Sequence, residues 1–156
     1  MKALLANPRT LRRIGLGLMI AAAIAGGIGA GLRSSLAPPV PHRSATYLLD
    51  TLGLLLAIAA AVCEARAGSI MLDYGDRRAR RRAVFLSIAG LGITLLACAT
   101  IAGWERARIS AWLAATLTAL YTGAFGAGFG GLLTLAWHYG GAYAGQRIER
   151  LGEDDW

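Results

Sequence analysis

The chain has 156 residues, enough for one ordinary domain, but 56% are hydrophobic and only 16% charged, against roughly 25% charged in a water-soluble domain. Sixteen Lys and Arg against nine Asp and Glu give a net charge of +7 and a pI near 10.3. This composition excludes disorder, a disulfide scaffold and a polar catalytic domain. Basicity alone would suit nucleic acid, but the charges cluster between long uncharged runs, which points instead to a membrane protein.

In chain order, four apolar runs predict an all-α, polytopic membrane domain filling residues 1–156. Ile14–Leu32 has 19 residues without charge, Ala45–Val62 has 18 with Asp50 as the one charge, Ala83–Trp104 has 22 and Ile109–Gly145 has 37. About 20 apolar residues cross a hydrocarbon core of about 30 Å as a helix, and lipid leaves the backbone few alternatives. The alternation of a membrane barrel is absent. The first run follows a basic segment, as a signal peptide does. It is longer than such a core, and Pro38 follows the best small-residue site, Ser35-Leu36-Ala37, so an uncleaved first span is expected. The fourth run as one helix would reach about 55 Å, while two spans and a turn need more than its 37 residues. Its glycine-rich middle, Gly123–Gly131, suits a bend, a break or a close-packing surface. One long or broken fourth span is expected, with a short fifth span as the alternative.

Charge sets the expected orientation. With four spans, twelve basic residues fall on one side, in the N-terminal segment, the second connection and the C-terminal tail. Arg33, Arg43, Arg106 and Arg108 fall on the other. The positive-inside rule then places both termini in the cytoplasm of a cell-membrane protein. The run Arg77–Arg82 beside a span reads as a topology signal or a contact with anionic lipid, not as a nucleic-acid site.

Few side chains suggest chemistry. Cys63 and Cys98 lack the spacing of a disulfide framework or a zinc site. His138, between Trp137 and Tyr139, reads as part of an interfacial aromatic belt. Glu64 and Glu105 fall at span ends, where solvated charges are ordinary. No pair of acids, Ser/His/Asp set or metal cluster lies within the spans, so an enzyme is not expected. Asp50 stands out, because a carboxylate six residues into a span normally faces a bundle interior or an ion pathway. Gly27 and Gly31, Gly126 and Gly130, and Gly141 and Gly145 are each four apart, which lets helix backbones approach within the chain or across an oligomer.

The first span ends Gly26-Gly27-Ile28-Gly29-Ala30-Gly31-Leu32-Arg33, which resembles the GGxGAxxR motif of the small fluoride channels, the Fluc or CrcB family. The second opens Thr46-Tyr-Leu-Leu-Asp50-Thr-Leu-Gly53, similar to that family's T-x-x-x-N-x-x-G with Asp in place of Asn. The resemblance covers Gly26–Gly53, about a fifth of the chain. It implies a dual-topology dimer of antiparallel four-helix subunits with two narrow anion pores. It also implies a sodium ion held at a break in the third helix, and no other cofactor. By position, Arg33 would be the first-span arginine, Thr46 the pore threonine and Asp50 the pore amide. The family's third-span TTFSTF run is replaced by Ala97-Cys98-Ala99-Thr100-Ile101-Ala102, which keeps only the Thr100 hydroxyl. Phenylalanine edges, the positive part of the ring quadrupole, are lost there, and an ionised Asp50 would repel fluoride.

Passive fluoride export, or a degenerate partner subunit of such a channel, is therefore the leading expectation. The alternatives are a non-conducting accessory subunit of a larger membrane complex and a proton- or cation-coupled carrier using Asp50. Expected partners are membrane lipids and a homo- or hetero-oligomer docked through the glycine-rich faces.

Overall fold

The computed structural model describes residues 7–35, 43–104 and 110–153. His42, Glu105, Arg106, Arg108 and the acidic Asp154-Asp155 lie outside them, as do the surroundings of Gly141 and Gly145. Four helices make up the fold: α1 (Pro8–Ser35), α2 (Arg43–Asp73), α3 (Arg77–Trp104) and α4 (Ala111–Glu153). All four are long and apolar enough to cross a membrane, so the chain is a small multi-pass helical membrane protein.

The helix starts are written locally. Asn7 caps α1 through a hydrogen bond from the Arg9 N–H to its Oδ1 at 3.0 Å. Pro8 then takes the first helical position, where its missing N–H costs nothing. Ser110 caps α4 by accepting from the Leu113 N–H. Between α2 and α3, Gly75 adopts φ +75°. Its N–H reaches the Leu72 carbonyl at 2.8 Å, and the Asp76 N–H reaches Met71 at 3.1 Å, the paired bonds of a Schellman stop. Asp76 at once caps α3 through the Arg78 N–H at 2.8 Å.

Two expected boundaries change. The second span does not end at Val62: α2 continues through Glu64 and Arg66 to Asp73, leaving a connection of only Tyr74–Asp76. Glu64 is consequently not solvated at a span end but buried, at 5% exposure, between Arg12 and Arg82. The fourth run neither breaks nor turns back. It is one helix of 43 residues, roughly 65 Å long, so there are four spans, and α4 extends past the 30-residue stretch suited to lipid. Its central glycines do not break it, and neighbouring helices occupy the space they leave. Gly126 and Gly130 receive α2 at Ala57 and Ala61, while Gly128 and Gly131 receive α3 at Gly90 and Ala83.

Helices α1, α2 and α4 pack mutually, whereas α3 lies against α4 and barely touches α2. The core is almost all alanine, including Ala22, Ala57, Ala60, Ala61 and Ala67, each fully buried, while Leu48, Phe85, Ile88 and Leu95 are exposed. Small residues inside and large apolar ones outside invert the soluble pattern. They suit a bilayer, where helices gain from close backbone approach and have no hydrophobic drive to bury leucine. The closest seam joins α3 to α4, where a Cβ on Gly90 would stand 2.5 Å from the Gly128 Cα.

Candidate functional site

The two sequence motifs meet at the end of the bundle where α1 finishes and α2 begins. Gly29 makes the meeting possible. A Cβ there would lie 2.7 Å from Asp50 Oδ1, 3.2 Å from Leu49 Cβ and 3.3 Å from the Thr46 carbonyl, so only glycine lets α2 come this close. One turn further on, Arg33 lies along the opening and ion-pairs with Asp50. Its guanidinium carbon also stands 5.6 Å from the centre of the Tyr47 ring, within cation–π range. Placed in the last turn of α1, Arg33 further complements the negative end of the helix dipole.

The pair borders a crevice of about 310 Å³ between α1, α2 and α4. Gly26 and Ala30 form its α1 wall, Leu54 continues the α2 wall below Asp50, and Thr118, Tyr121, Thr122 and Phe125 come from α4. The Arg33 side chain is 49% exposed and that of Asp50 28%, so the pair is reachable from outside the bundle. Asp50 Oδ1 is itself buried and has no hydrogen-bond partner among the described residues. Because Arg33 balances Asp50, the carboxylate does not present the uncompensated negative charge that its position in the sequence suggested. The site can offer guanidinium donors to a small anion on the Arg33 side.

The remaining motif residues divide clearly. Thr46 is buried behind the pair and does not line the crevice. Thr100 is not brought to the site. It lies on α3, which shares no packing with α1, and its hydroxyl donates to the Leu96 carbonyl at 2.7 Å. Thr51, Ser87, Thr94, Thr116, Thr122 and Thr134 likewise donate to their own helix four residues back, so these hydroxyls do not form a polar path. Among the described residues, the flagged glycines pack within the chain. Gly26, Gly27 and Gly31 face α4, Gly29 faces α2, Gly53 faces α1, and Gly126 and Gly130 face α2. The sodium ion implied by the resemblance needs a broken third helix, but α3 is continuous from Arg77 to Trp104, so its residues do not offer that site.

An aromatic ladder on α4 is the feature that sequence reading missed. Tyr121 and Phe125 stack with centroids 6.3 Å apart, and Phe125 and Phe129 with centroids 5.5 Å apart and planes within 8°. The first two rings line the crevice. The i, i+4, i+8 spacing is present in the sequence, but the intervening glycines suit a bend equally well. The aromatic edges absent from the third span therefore have a counterpart on the fourth. Comparison with protein-family models, curated proteins and solved structures gives no match to this chain.

Proposed function

We propose that this chain is a fluoride-channel-like ion-transport protein of the cell membrane, in which the Arg33–Asp50 crevice is the entry to a path for a small anion. The observation that carries this reading is the convergence of the two motifs. Arg33 from one and Asp50 from the other pair across Gly29, at a crevice whose far wall is the Tyr121–Phe125 ladder. A half-exposed guanidinium attracts the anion, Asp50 keeps the site from holding it too tightly, and ring edges guide it inward. The crevice is walled by three helices of this chain and open on its remaining side, so a second subunit, whether a copy or a partner, completes the path. The excess of basic residues at the other end supports an orientation with both termini in the cytoplasm and the crevice opening to the outside.

Fluoride efflux from loaded liposomes tests the proposal. Efflux from the unaltered protein, with about a tenfold loss in Arg33→Gln through one charge-assisted contact, is the expected result. No efflux from the purified protein, alone or co-reconstituted with any subunit that co-purifies with it, overturns it. A non-conducting accessory subunit is the second reading, favoured by the continuous α3 and by Thr100 bonding to its own helix. A purified monomer that enters a larger complex without conferring efflux supports that reading. Asp50-coupled carriage predicts pH-dependent flux abolished by Asp50→Asn.

A further inference from the structure

At the opposite end of the bundle the Glu64 side chain is only 7% exposed and has guanidinium groups on both sides. Arg82 Nε on α3 stands 3.2 Å from Glu64 Oε1, and Arg12 Nε on α1 stands 3.8 Å from the same oxygen. Helices α1 and α3 do not pack on each other, so this carboxylate on α2 is what draws the two arginines together. Both approach through Nε. The Arg12 Nε is buried without a hydrogen-bond partner, since 3.8 Å is an ion-pair distance and not a hydrogen bond. Each guanidinium carries five N–H donors in a rigid fork. Two such forks around one carboxylate leave one positive charge uncompensated and most of the donors unused. Gly130 lets Glu64 lie close to α4, since a Cβ there would stand 3.1 Å from Glu64 Cβ.

We propose that Arg12 and Arg82, held by Glu64, form a site for the phosphate ester of an anionic membrane-lipid headgroup. A phosphodiester carries one negative charge, which brings the cluster to neutrality, and its oxygens match the guanidinium fork. Access fits the same ligand. The Arg12 side chain is 22% exposed and that of Arg82 50%, and both lie in the second turn of their helices, at the basic end of the bundle where headgroups sit. The arrangement differs from the general attraction of a basic rim, which is worth about 1 kcal/mol per arginine whatever its position. Here two particular arginines on separate helices are oriented by a buried acid.

Thermal unfolding of the full chain in detergent, with phosphatidylglycerol, phosphatidylcholine or inorganic phosphate added, tests the site. Phosphatidylglycerol is expected to raise the midpoint of the unaltered protein, and the other two to leave it unchanged. Arg82→Gln should weaken the apparent phosphatidylglycerol affinity roughly tenfold or more, the loss of a charge-assisted pair. Arg81→Gln, one residue away and exposed, should change it by less than about fivefold, the worth of one arginine in a general basic rim. Arg12→Lys keeps the charge beside Glu64, and so the fold, while losing the fork; it should weaken binding as well. Equal losses in Arg81→Gln and Arg82→Gln would reduce the effect to surface charge and overturn the proposal. An equal shift with phosphatidylcholine overturns it too, and a shift reproduced by inorganic phosphate would reassign the site to the free ion.

Discussion

Replacing Gly90 by alanine tests the packing most directly, because Gly92, two residues away, supplies its own control. The new Cβ at position 90 would stand 2.5 Å from both Cα and N of Gly128 and 2.7 Å from the Ala124 carbonyl oxygen. Carbon pairs rest at about 3.5–4.0 Å, so α3 must lift from α4 by about 1 Å, a gap that forfeits a quarter to a half of each dispersion contact along the seam. No side chain can swing aside, since all three obstacles are backbone atoms. Because α3 has little other anchorage, the loss falls at the upper end of the overpacking range, about 3 kcal/mol. A Cβ on Gly92 meets nothing within 4 Å, so alanine there should stabilise by about 0.5–1 kcal/mol through helix propensity alone. Unfolding by SDS titration in mixed micelles reads both variants. Midpoints that move together, or a Gly90→Ala protein as stable as the unaltered one, would refute the close α3–α4 seam.

Glu64→Leu should destabilise by about 3 kcal/mol, the low end for breaking a buried pair, because half-exposed Arg82 can rehydrate; the same SDS titration checks it. Arg33→Gln and Asp50→Asn, combined in a double-mutant cycle, should show a coupling near 1 kcal/mol, since both partners are partly solvated. Coupling close to zero would mean that the two side chains do not pair. Thr134→Val, at the largest completely buried side chain among the described residues, should cost less than about 1 kcal/mol by thermal unfolding. Its hydroxyl bonds only to the Gly130 carbonyl of its own helix, and valine keeps the shape.

The four helices were legible because hydropathy runs report membrane helices almost directly. Their ends were less so, for a physical reason. Glu64 reads as the edge of a span, yet α2 carries it inward because α1 and α3 supply Arg12 and Arg82 to neutralise it. That compensation lies across three helices and leaves no local trace. The glycine run in α4 was equally ambiguous. Glycine permits a bend as readily as a close contact, and only the neighbours at Ala57, Ala61, Ala83 and Gly90 decide which. Spacing did identify Gly27 with Gly31 and Gly126 with Gly130 as shared faces. It could not identify Gly90, whose matching glycine, Gly128, is on another helix. The Arg33–Asp50 site was legible as two residues but not as a pair, since their meeting depends on the crossing that Gly29 and Gly53 allow.

That crossing also constrains any route for an ion. Asp50 and Glu64 are 14 residues apart on α2, roughly 21 Å along its axis, and each pairs with an arginine from α1. The α1–α2 seam between them is closed where small residues bring the backbones together. A Cβ on Gly53 would meet the Ala22 carbonyl and the Gly26 nitrogen at 3.1 Å, and one on Gly15 would meet Cys63 Cβ at 3.3 Å. Helices this close leave no room for a water-sized sphere of 1.4 Å radius. The two charged clusters are therefore separate devices and not the ends of one internal wire. An anion that enters beside Arg33 has to leave the α1–α2 seam and follow the outer face of α4 past Phe125 and Phe129. On the proposed reading, transport and assembly with a second protein surface thus stand or fall together, and the aromatic ladder, more than the glycine motifs, is where that reading puts a partner.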